Sequence, residues 1–449
     1  MEISGTKISG YSFGPFRLDL SRRLLISGSK LKSLPENLFR ILLELVEAGG
    51  NVVTREHLLD AVWPDSDTGD ANLTQHVYLL RKLLEAMGGK GTYVAAVAKR
   101  GYRLAIPASA IPTSDELTPR VAAALGRSLA NVDLEAFRLY CEACYELERR
   151  AKLPLLSAIE LFEQAIERQP TYAPAHLGLA KAYTYLGGYL YAAGPDVFPK
   201  AKAAALAALE LAPTASCHAQ LGDIAIFGEW DLAGAAASLD TALALEPDSA
   251  FVHGHTTWLA IARGEYDRAL HEAKLALALD SASLFYRTLL ARALFHGGEY
   301  GRAIDLLENV LRADAKFLVA RRVLAVAYVL ADDPLAAVKA MELEGAVDAL
   351  EAHDLGHLAL AYGRLGDRDR ARAIHETLLG RRTTEYVACW PIALAAVALG
   401  EERAALEQLE RAFEERESSL IFLDRLPVFT SIAANPAYKR IAAEVYRDV

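Results

Sequence analysis

A 34-residue period in the second half of the chain constrains the fold more than any other feature. Helix-like phrases end at residues 213, 247, 281 and 315, so consecutive phrases lie 34 residues apart. Turn phrases that start with Gly-Glu or Gly-Asp begin at residues 228, 264, 298, 366 and 400. A period of this length, with apolar residues at helical spacing, predicts a solenoid of helix–turn–helix units that stack on their neighbours.

Alanines at fixed offsets indicate how such units pack. Ala235, Ala269 and Ala303 share one offset and are predicted to let the two helices of a unit approach closely. A second set is predicted at the joint with the next unit: Ala208, Ala242 and Ala276. The spacing and these small positions make the array similar to the tetratricopeptide repeat, which implies an all-α solenoid of helical hairpins. Arrays of this kind are usually scaffolds for peptides or proteins.

The repeat pattern predicts about eight units across residues 133–449, with degenerate units near 318–349 and 388–418. The step between the phrases ending at 170 and 213 is 43 residues, which predicts a longer hairpin loop around 187–198. The segment 419–441 is predicted to form one or two helices that cap the last apolar face. Tyrosines at 183–191 are interpreted mainly as packing residues, with a concave ligand surface as the alternative.

The first hundred residues have a different pattern. Alternation of apolar and polar residues in 11–20, and short apolar runs in 24–31, predict a small antiparallel sheet. Three helices follow, the first starting at Ser33-Leu34-Pro35-Glu36, the second capped by Thr54, and the third running from about Asp70 to Met87. Two strand-like runs, 92–97 and 101–106, then predict a hairpin with a basic tip. This order of elements predicts an N-terminal α+β winged helix.

The third helix has one apolar face and one polar face. Its apolar residues recur at helical spacing and predict one buried stripe of Leu73, Val77, Leu80 and Leu84. The opposite face, at 100° per residue, is predicted to expose Asn72, Gln75, Tyr78, Leu79 and Lys82. Amide side chains pair with adenine, and cations reach phosphates or guanine, so this face suits a major groove. The alternative is an ordinary solvated helix face.

Three sequence runs carry a family resemblance: VVTREHLLDAVWPD (52–65), NLTQHVYLLRKLLE (72–85) and VAKRGYRL (97–104). They resemble the OmpR-type winged-helix domain over about residues 10–107. The resemblance implies a four-stranded N-terminal sheet, a recognition helix in the major groove and a wing at the minor groove. It places Asn72, Thr74 and Leu79 at base-contacting positions and His76, Tyr78 and Arg81 at phosphate-contacting positions. The polar face adds Gln75 to the base-reading set and Lys82 to the phosphate set.

The wing and the turn before the third helix complete the implied site. The wing is expected to act through Lys99, Arg100 and Tyr102. The resemblance further implies that the turn contacts RNA polymerase through Trp63, Pro64, Asp65 and Asp67. Positions 79 and 98 hold arginine in some members of the family and hold Leu79 and Ala98 here, so sequence specificity is expected to differ from those members. The resemblance alone implies paired winged helices, hence a homodimer, on direct-repeat sites.

Charge and proline content divide the chain. Residues 10–107 carry 13 Lys/Arg against 10 Asp/Glu, a net charge of +3, whereas residues 108–449 carry 34 against 47, a net charge of −13. The front of the chain therefore suits a polyanion and the rear does not. Prolines 107, 112 and 119 lie among polar residues and predict an exposed connection. The predicted organisation is a winged helix in 1–107, a linker in 108–132 and the array in 133–449.

The sequence also predicts where the protein works. It has no apolar run long enough for a membrane span, no secretory signal at its start, and four cysteines without a disulfide-type spacing. We therefore expect a soluble, cytoplasmic protein. The winged helix begins at about residue 10, which leaves no room for a phosphoacceptor receiver domain before it, so control by aspartyl phosphorylation within the chain is not expected.

Three motifs that resemble reactive or ligand-binding sites receive a structural interpretation. Cys141 and Cys144 form a CxxC inside an apolar helical pattern, which favours packing over redox or zinc chemistry. His353 and His357 share a helix face but have no third metal ligand at a suitable spacing. The run Gly88 to Thr92 lacks the glycine and hydroxyl spacing of a phosphate-binding loop. No cofactor, no metal and no enzymatic activity are expected.

Two hypotheses about function remain open from the sequence. The first is a one-component DNA-binding transcription regulator whose array binds a protein, a peptide or a small effector, or mediates self-association. The second is a repeat scaffold that uses its winged helix mainly for protein docking. The polar face of the third helix and the basic wing at Lys99 and Arg100 favour the first.

Overall fold

The structure is a computed structural model, and it describes residues 2–3, 6–20, 23–27, 30–63, 70–88, 93–97, 100–112, 133–281, 283–315, 317–342 and 350–447. It contains an N-terminal part of two small sheets and three helices, followed by a long array of paired helices. The two parts pack against each other through several specific contacts. None of the described helices is long and apolar enough to cross a lipid bilayer.

The first sheet is built from short antiparallel strands. These strands are β1 (Glu2–Ile3), β2 (Thr6–Phe13), β3 (Phe16–Asp19), β4 (Leu24–Ser27) and β5 (Lys30–Ser33), paired in this order. Alternation along β2 and β3 buries Phe13, Phe16 and Leu18 against the helices, as the sequence pattern predicted.

A sixth strand corrects the predicted domain boundary. Residues Ala108–Pro112, assigned from sequence to the linker, form a strand that we number β9, and this strand pairs with β2 from Phe13↔Ala108 onward. The pairing satisfies backbone groups of β2 that an open sheet edge would leave without partners. Pro107 precedes this strand and Pro112 is its last residue. The sequence did not predict the strand because proline is compatible with a strand only at its ends or on an edge. The N-terminal sheet therefore extends to residue 112.

Three helices and a second sheet complete the winged helix. The helices are α1 (Glu36–Glu47), α2 (Arg55–Val62) and α3 (Asp70–Ala86), and the strands are β6 (Val53–Thr54), β7 (Val94–Val97) and β8 (Gly101–Leu104). Thr54 caps α2 as predicted, because its hydroxyl accepts a hydrogen bond from the backbone N–H of His57. Helix α1 begins after Pro35, which occupies the N-cap position without a side-chain hydrogen bond, and Ser33 belongs to β5.

The array consists of eight antiparallel helix pairs, as counted in the described residues. The pairs are α4 (Leu134–Glu148) with α5 (Lys152–Arg168), α6 (Ala173–Gly188) with α7 (Gly194–Leu211), α8 (Ala215–Ile224) with α9 (Leu232–Leu245), α10 (Ala250–Arg263) with α11 (Tyr266–Leu279), α12 (Leu284–His296) with α13 (Tyr300–Ala313), α14 (Leu318–Leu330) with α15 (Pro334–Glu342), α16 (Ala352–Leu365) with α17 (Arg368–Arg382), and α18 (Cys389–Leu399) with α19 (Glu402–Glu414). The predicted number and type of units are confirmed.

Small residues and glycine turns shape each pair. The alanines predicted at helix contacts are all fully buried: Ala208, Ala235, Ala242, Ala269, Ala276 and Ala303. The turn glycine of the recurrent phrase ends the first helix of a unit in the left-handed region, as at Gly264 with φ of 77°. An L side chain is strained in that region, which explains why this position holds glycine.

The second unit differs from its prediction. Its additional residues lengthen the helices to 16 residues in α6 and 18 residues in α7, and only 189–193 remain as a connection. Pro195 lies in the first turn of α7, where a missing backbone N–H has no cost. The predicted loop over 187–198 was therefore too long.

The C-terminal segment covers the last pair as predicted. A 3₁₀ turn, Ser418–Phe422, leads to the final helix α20 (Pro436–Val445). The buried Glu417 carboxylate accepts hydrogen bonds from the backbone N–H groups of Cys389 and Trp390 at the start of α18. Burial raises the pKa of this carboxyl to about 7.

The close approach of α16 and α18 yields a test of the packing. A Cβ atom at Gly356 would lie 2.6 Å from the Cα atom of Pro391. We expect Gly356→Ala to reduce the free energy of unfolding by about 1–3 kcal/mol, because backbone on the facing helix has to move. Gly380→Ala in α17 is the control, since a Cβ there meets no described atom within 4 Å. Urea unfolding followed by circular dichroism measures both, and equal midpoints would contradict the packing.

Candidate nucleic-acid interface

Helix α3 presents a polar surface beside the β7–β8 wing. Leu73, Val77, Leu80 and Leu84 are buried, so the predicted apolar stripe is confirmed. On the other side Thr74 and Gln75 are exposed, and Tyr78 is 50% exposed.

Two further residues of this helix belong to the predicted DNA-contacting set. The Lys82 ammonium lies 3.0 Å from the Glu85 carboxylate, and this ion pair is near the surface. Asn72 lies in α3, but its side chain is outside the described residues. Together with Thr74, Gln75 and Tyr78, Lys82 gives the polar face of α3 hydrogen-bonding groups over more than two helical turns. Such a face suits entry into a DNA groove.

Arg55 connects this surface to the wing, and sequence reasoning missed it. Its guanidinium donates to the Thr74 hydroxyl at 2.8 Å and to the Tyr102 hydroxyl at 3.0 Å. The same group lies 5.3 Å from the centre of the Tyr102 ring. A cation in the first turn of a helix opposes the helix dipole, so Arg55 at the start of α2 was a signal of a role beyond helix formation.

The β7–β8 hairpin is bonded to helix α3. Arg81 donates from Nε to the backbone carbonyl of Val94 at 2.8 Å, which joins α3 to β7. Arg100 is exposed at the wing, and Arg103 on β8 is exposed too, although the sequence analysis did not single it out. Alternation along β8, with Tyr102 and Leu104 inward, was the signal that Arg103 faces outward. Lys99 lies outside the described residues.

Three expected contact residues are buried rather than exposed. Leu79 is 1% exposed, so its predicted place on the open face was wrong. Tyr102 is 4% exposed: it lies on β8, the central strand of the small sheet between β6 and β7, and the Arg55 guanidinium lies over its ring. His76 is 1% exposed.

His76 is buried by the array. Its Nε2 atom lies 2.6 Å from the carbonyl oxygen of Ala313 at the end of α13, so Nε2 carries the proton and donates it. The Asn37 amide of α1 donates to the same oxygen at 2.7 Å. The Trp63 ring packs edge-on against the His76 ring at 4.8 Å.

Two further contacts define the docking surface between the array and the winged helix. Lys32 forms an ion pair with Asp280 at 2.7 Å, which joins β5 to the end of α11. Arg287 of α12 interacts electrostatically with Tyr78, and burial lowers the pKa of this guanidinium. We call the contacts of Lys32, Asn37, His76 and Tyr78 with the array the docking contacts.

The turn between α2 and α3 is described only in part. Trp63 is half-buried against His76, whereas Pro64, Asp65 and Asp67 lie outside the described residues. The expected contact of this turn with RNA polymerase stays a prediction.

The cysteine pair lies in packing positions. Cys141 is buried in α4, and burial raises the pKa of the Cys144 thiol to about 12, which disfavours the reactive thiolate. The His353 and His357 rings lie 4.6 Å apart. Both line a cavity to which the array and the winged helix contribute. Among the described residues, Cys389, Glu415 and Glu417 bring potential metal-ligating atoms within 4.8 Å of one another. Glu415 already pairs with Arg382, and Glu417 accepts two backbone hydrogen bonds.

Known proteins resemble the two parts separately. Residues 29–104 match the family described as "Transcriptional regulatory protein, C terminal". Transcriptional regulator HilA of Salmonella typhimurium is 32% identical over 97 residues, which are 22% of this chain and 17% of HilA. The cholera toxin homolog transcriptional activator of Vibrio parahaemolyticus is 37% identical over 95 residues, which are 21% of this chain and 30% of that protein.

Solved structures that the chain resembles include a repeat protein. A thermophilic TPR protein of Thermus thermophilus aligns with 42% of this chain and 99% of its own, at 22% identity and a TM-score of 0.34. The chain spans less than a third of the length of the two regulators. Their likeness therefore concerns the winged-helix domain.

Proposed function

We propose that this chain, whose residues 29–104 form an OmpR-type winged-helix domain, is a sequence-specific DNA-binding regulator of transcription. The observation that carries the proposal is the exposed polar surface of α3, with Thr74, Gln75 and Tyr78 beside the arginines of the wing. A recognition helix with such a surface reads base edges, while its flanks and the wing contact the phosphate backbone.

Individual residues take distinct roles in this proposal. Gln75 and Thr74, with Asn72 one turn earlier, read base edges in the major groove. Tyr78 and Lys82 contact phosphates. Arg81 acts through the wing, because its hydrogen bond to Val94 holds β7 against α3. Arg100 and Arg103, with Lys99, contact the backbone or the minor groove.

The docking contacts give the array a way to control DNA binding. Phosphates cannot reach His76 while it is buried against Ala313. Separation of the winged helix from α13 would expose the His76 imidazole and the flank of α3 around it. We therefore propose that the docked arrangement has the lower DNA affinity, and that an effector or protein partner of the array shifts the balance between the docked and free arrangements.

Charge reversal at the docking contacts tests this control. Asp280→Lys would place a cation against Lys32, so we expect the winged helix to separate and the affinity for its DNA site to rise about fivefold. Asp240→Lys makes the same charge change on the exposed surface of α9, away from the docking contacts. Fluorescence anisotropy with the full chain compares the two, and an equal rise in both would attribute the effect to net charge alone.

The docking contacts are also what a protein-docking winged helix would show, so the scaffold hypothesis remains as the second candidate. Enrichment of genomic DNA fragments on the full-length protein distinguishes the two. A discrete, recurrent motif recovered by the wild type but not by Gln75→Ala supports the regulator. No enrichment over the variant, including with Asp280→Lys, supports the scaffold. Spacing of the motif as direct repeats would further support paired winged helices.

A further inference from the structure

A cavity of about 1460 Å³ lies between the concave side of the array and the winged helix. Its array wall comes from helices between α4 and α18, and its opposite wall includes Arg23, Leu34 and Leu83 of the winged helix. Pockets for drug-sized molecules occupy roughly 300–1,000 Å³, so this space accommodates a small molecule with room for water. The cavity is bounded by both parts of the protein.

One wall of the cavity carries Arg292, Arg322, His353 and His357, which we call the cationic cluster after its two arginines. Burial lowers the pKa of both histidines, to about 4 for His357, so their side chains carry no charge at neutral pH. Arg322 is 3% exposed and forms a two-pronged ion pair with Asp354, through Nε at 2.6 Å and Nη2 at 3.0 Å. Its remaining nitrogen, Nη1, is buried without a hydrogen-bond partner. The Nδ1 atoms of His353 and His357 are likewise buried and unpartnered.

Within the described part of the chain, the positive charge of Arg292 has no counterion comparable to the Asp354 carboxylate that pairs with Arg322. Its guanidinium lies 5.1 Å from the centre of the Trp258 ring, and the groups that act on its charge are Tyr189 and Arg322. Among the described residues no carboxylate lies within ion-pair distance of it. Burial lowers the pKa of Arg292 to about 10, which reflects the cost of holding this charge away from water.

A third arginine, Arg150, lines the same cavity. Arg150 is 6% exposed and lies over two rings, 3.9 Å from the centre of Phe285 and 4.5 Å from that of Tyr185. It donates to the hydroxyl of Tyr189 at 3.1 Å, and its Nε is buried without a partner. Aromatic faces stabilise a guanidinium, but they do not neutralise its charge.

The acidic groups on the cavity wall are already paired or exposed. Asp280 binds Lys32, Glu36 binds Arg40, and Asp223 lies 2.9 Å from His255, while Glu246 is exposed. Asp354, the partner of Arg322, does not itself line the cavity. Glu148, which interacts with Arg150, is exposed. Burial of a cation without a counterion is costly, so an anion bound beside Arg292 would offset a cost that the described side chains leave uncompensated.

We propose that the cavity binds a small organic anion, with its carboxylate or phosphate against Arg292 and Arg322 and its apolar body against the aromatic wall. Guanidinium groups match the planar, two-pronged geometry of both anions. Trp258 and Phe422, whose ring centres lie 6.0 Å apart, line the cavity next to Arg292 and form that wall. In the Nδ1–H tautomer, the neutral His353 and His357 side chains donate further hydrogen bonds to the anion.

The regulatory consequence rests on the proposed function. The winged helix forms one wall of the cavity, so separation of the two parts opens the cavity in which the anion is held and changes its affinity. That difference in affinity is what shifts the balance between them and with it the DNA affinity. The anion is then the effector of the regulator.

Matched aryl compounds test the site in the full chain. Phenylacetate carries a carboxylate and phenyl phosphate carries a phosphate, each attached to the same phenyl group. Phenylacetamide is the neutral counterpart of phenylacetate. We expect one or both anions to raise the thermal midpoint at millimolar concentration, and the amide to leave it unchanged. A response to phenylacetate alone assigns a carboxylate ligand, and a response to phenyl phosphate alone assigns a phosphate ligand.

Arg292→Gln separates binding from folding. Because the variant removes a charge without an ion-pair partner, we expect its unliganded form to melt no lower than the wild type, whereas its dissociation constant for the anion, by calorimetry, rises at least tenfold. Arg403→Gln, whose side chain is 94% exposed, is the control and retains wild-type binding. No response to either anion at 10 mM, or an unchanged response in Arg292→Gln, overturns the proposal.

DNA binding measured on the same samples keeps the two proposals distinct. Anion binding without recovery of any DNA motif would leave the site standing and contradict the regulator. Motif binding without an anion response would contradict the site and leave the regulator standing.

Discussion

Gln75→Ala is expected to weaken binding of the full chain to its specific DNA site by about 5- to 150-fold, and to leave binding to a shuffled duplex unchanged. The Gln75 amide is exposed near the middle of the polar surface of α3, next to Thr74, which is held by Arg55. A base pair read by two hydrogen bonds contributes about 1–3 kcal/mol of discrimination, and alanine makes neither bond. Fluorescence anisotropy with the recovered motif measures the difference.

Lys82→Ala provides the contrast to this prediction. A phosphate contact carries no sequence information, so we expect specific and shuffled duplexes to lose affinity equally. If the winged helix neutralises about five phosphates, the log–log salt slope is about −4 to −5, and this variant reduces its magnitude by about one. Gln164→Ala on the exposed face of α5 is the matched control for loss of an amide. An equal loss on both duplexes from Gln75→Ala would remove it from the base-reading set.

The array was predictable because its determinants are local and repeated. The 34-residue period, the buried alanines and the turn glycines each recur several times, so a chance match at one position does not alter the interpretation. The strand β9 was not predictable in this way. Its partner β2 lies about a hundred residues earlier in the chain, and pairing between distant segments leaves no local pattern in a five-residue run flanked by prolines.

The candidate site likewise has features set by local sequence and features set by distant segments of the chain. The exposure of Thr74, Gln75 and Tyr78 follows from the helical period within one domain, and the structure agrees. The burial of His76 depends on Ala313, which lies 237 residues further along the chain. A helical projection of α3 cannot contain that information, because it treats the rest of the protein as solvent.

The cationic cluster was hidden for a related reason. His353 and His357 were recognised as a pair on one helix face, but Arg322 comes from α14 and Arg292 from α12. Stacking of successive units brings these side chains to one cavity, where each is separated from the next by about one repeat. Residues at the same side of neighbouring units of a solenoid converge on its concave surface, so such a cluster is visible only once the units are superposed.

The Arg322–Asp354 pair yields the largest effect on stability that we expect. Both side chains are less than 5% exposed, and two hydrogen bonds join them. Asp354→Asn leaves the Arg322 charge buried beside Arg292 without its counterion. We expect a loss of about 3–5 kcal/mol, since removal of one partner of a buried pair leaves an uncompensated charge. The thermal midpoint of the array is expected to fall by about 5–10 °C.

The double variant Arg322→Met, Asp354→Leu distinguishes loss of a counterion from loss of packing. It removes both charges and keeps apolar volume, so we expect it to be more stable than Asp354→Asn alone, because a buried ion pair contributes little net stability over an apolar replacement. Thermal melts of the wild type, Arg322→Met, Asp354→Leu and the double variant complete the cycle. Additive losses would mean that the two residues act independently, and would contradict the coupling on which the charge of the cavity wall depends. If the coupling holds, the double variant also loses Arg322 from the proposed anion site, so it is expected to fold like the wild type while phenylacetate and phenyl phosphate no longer raise its melting temperature to the same extent.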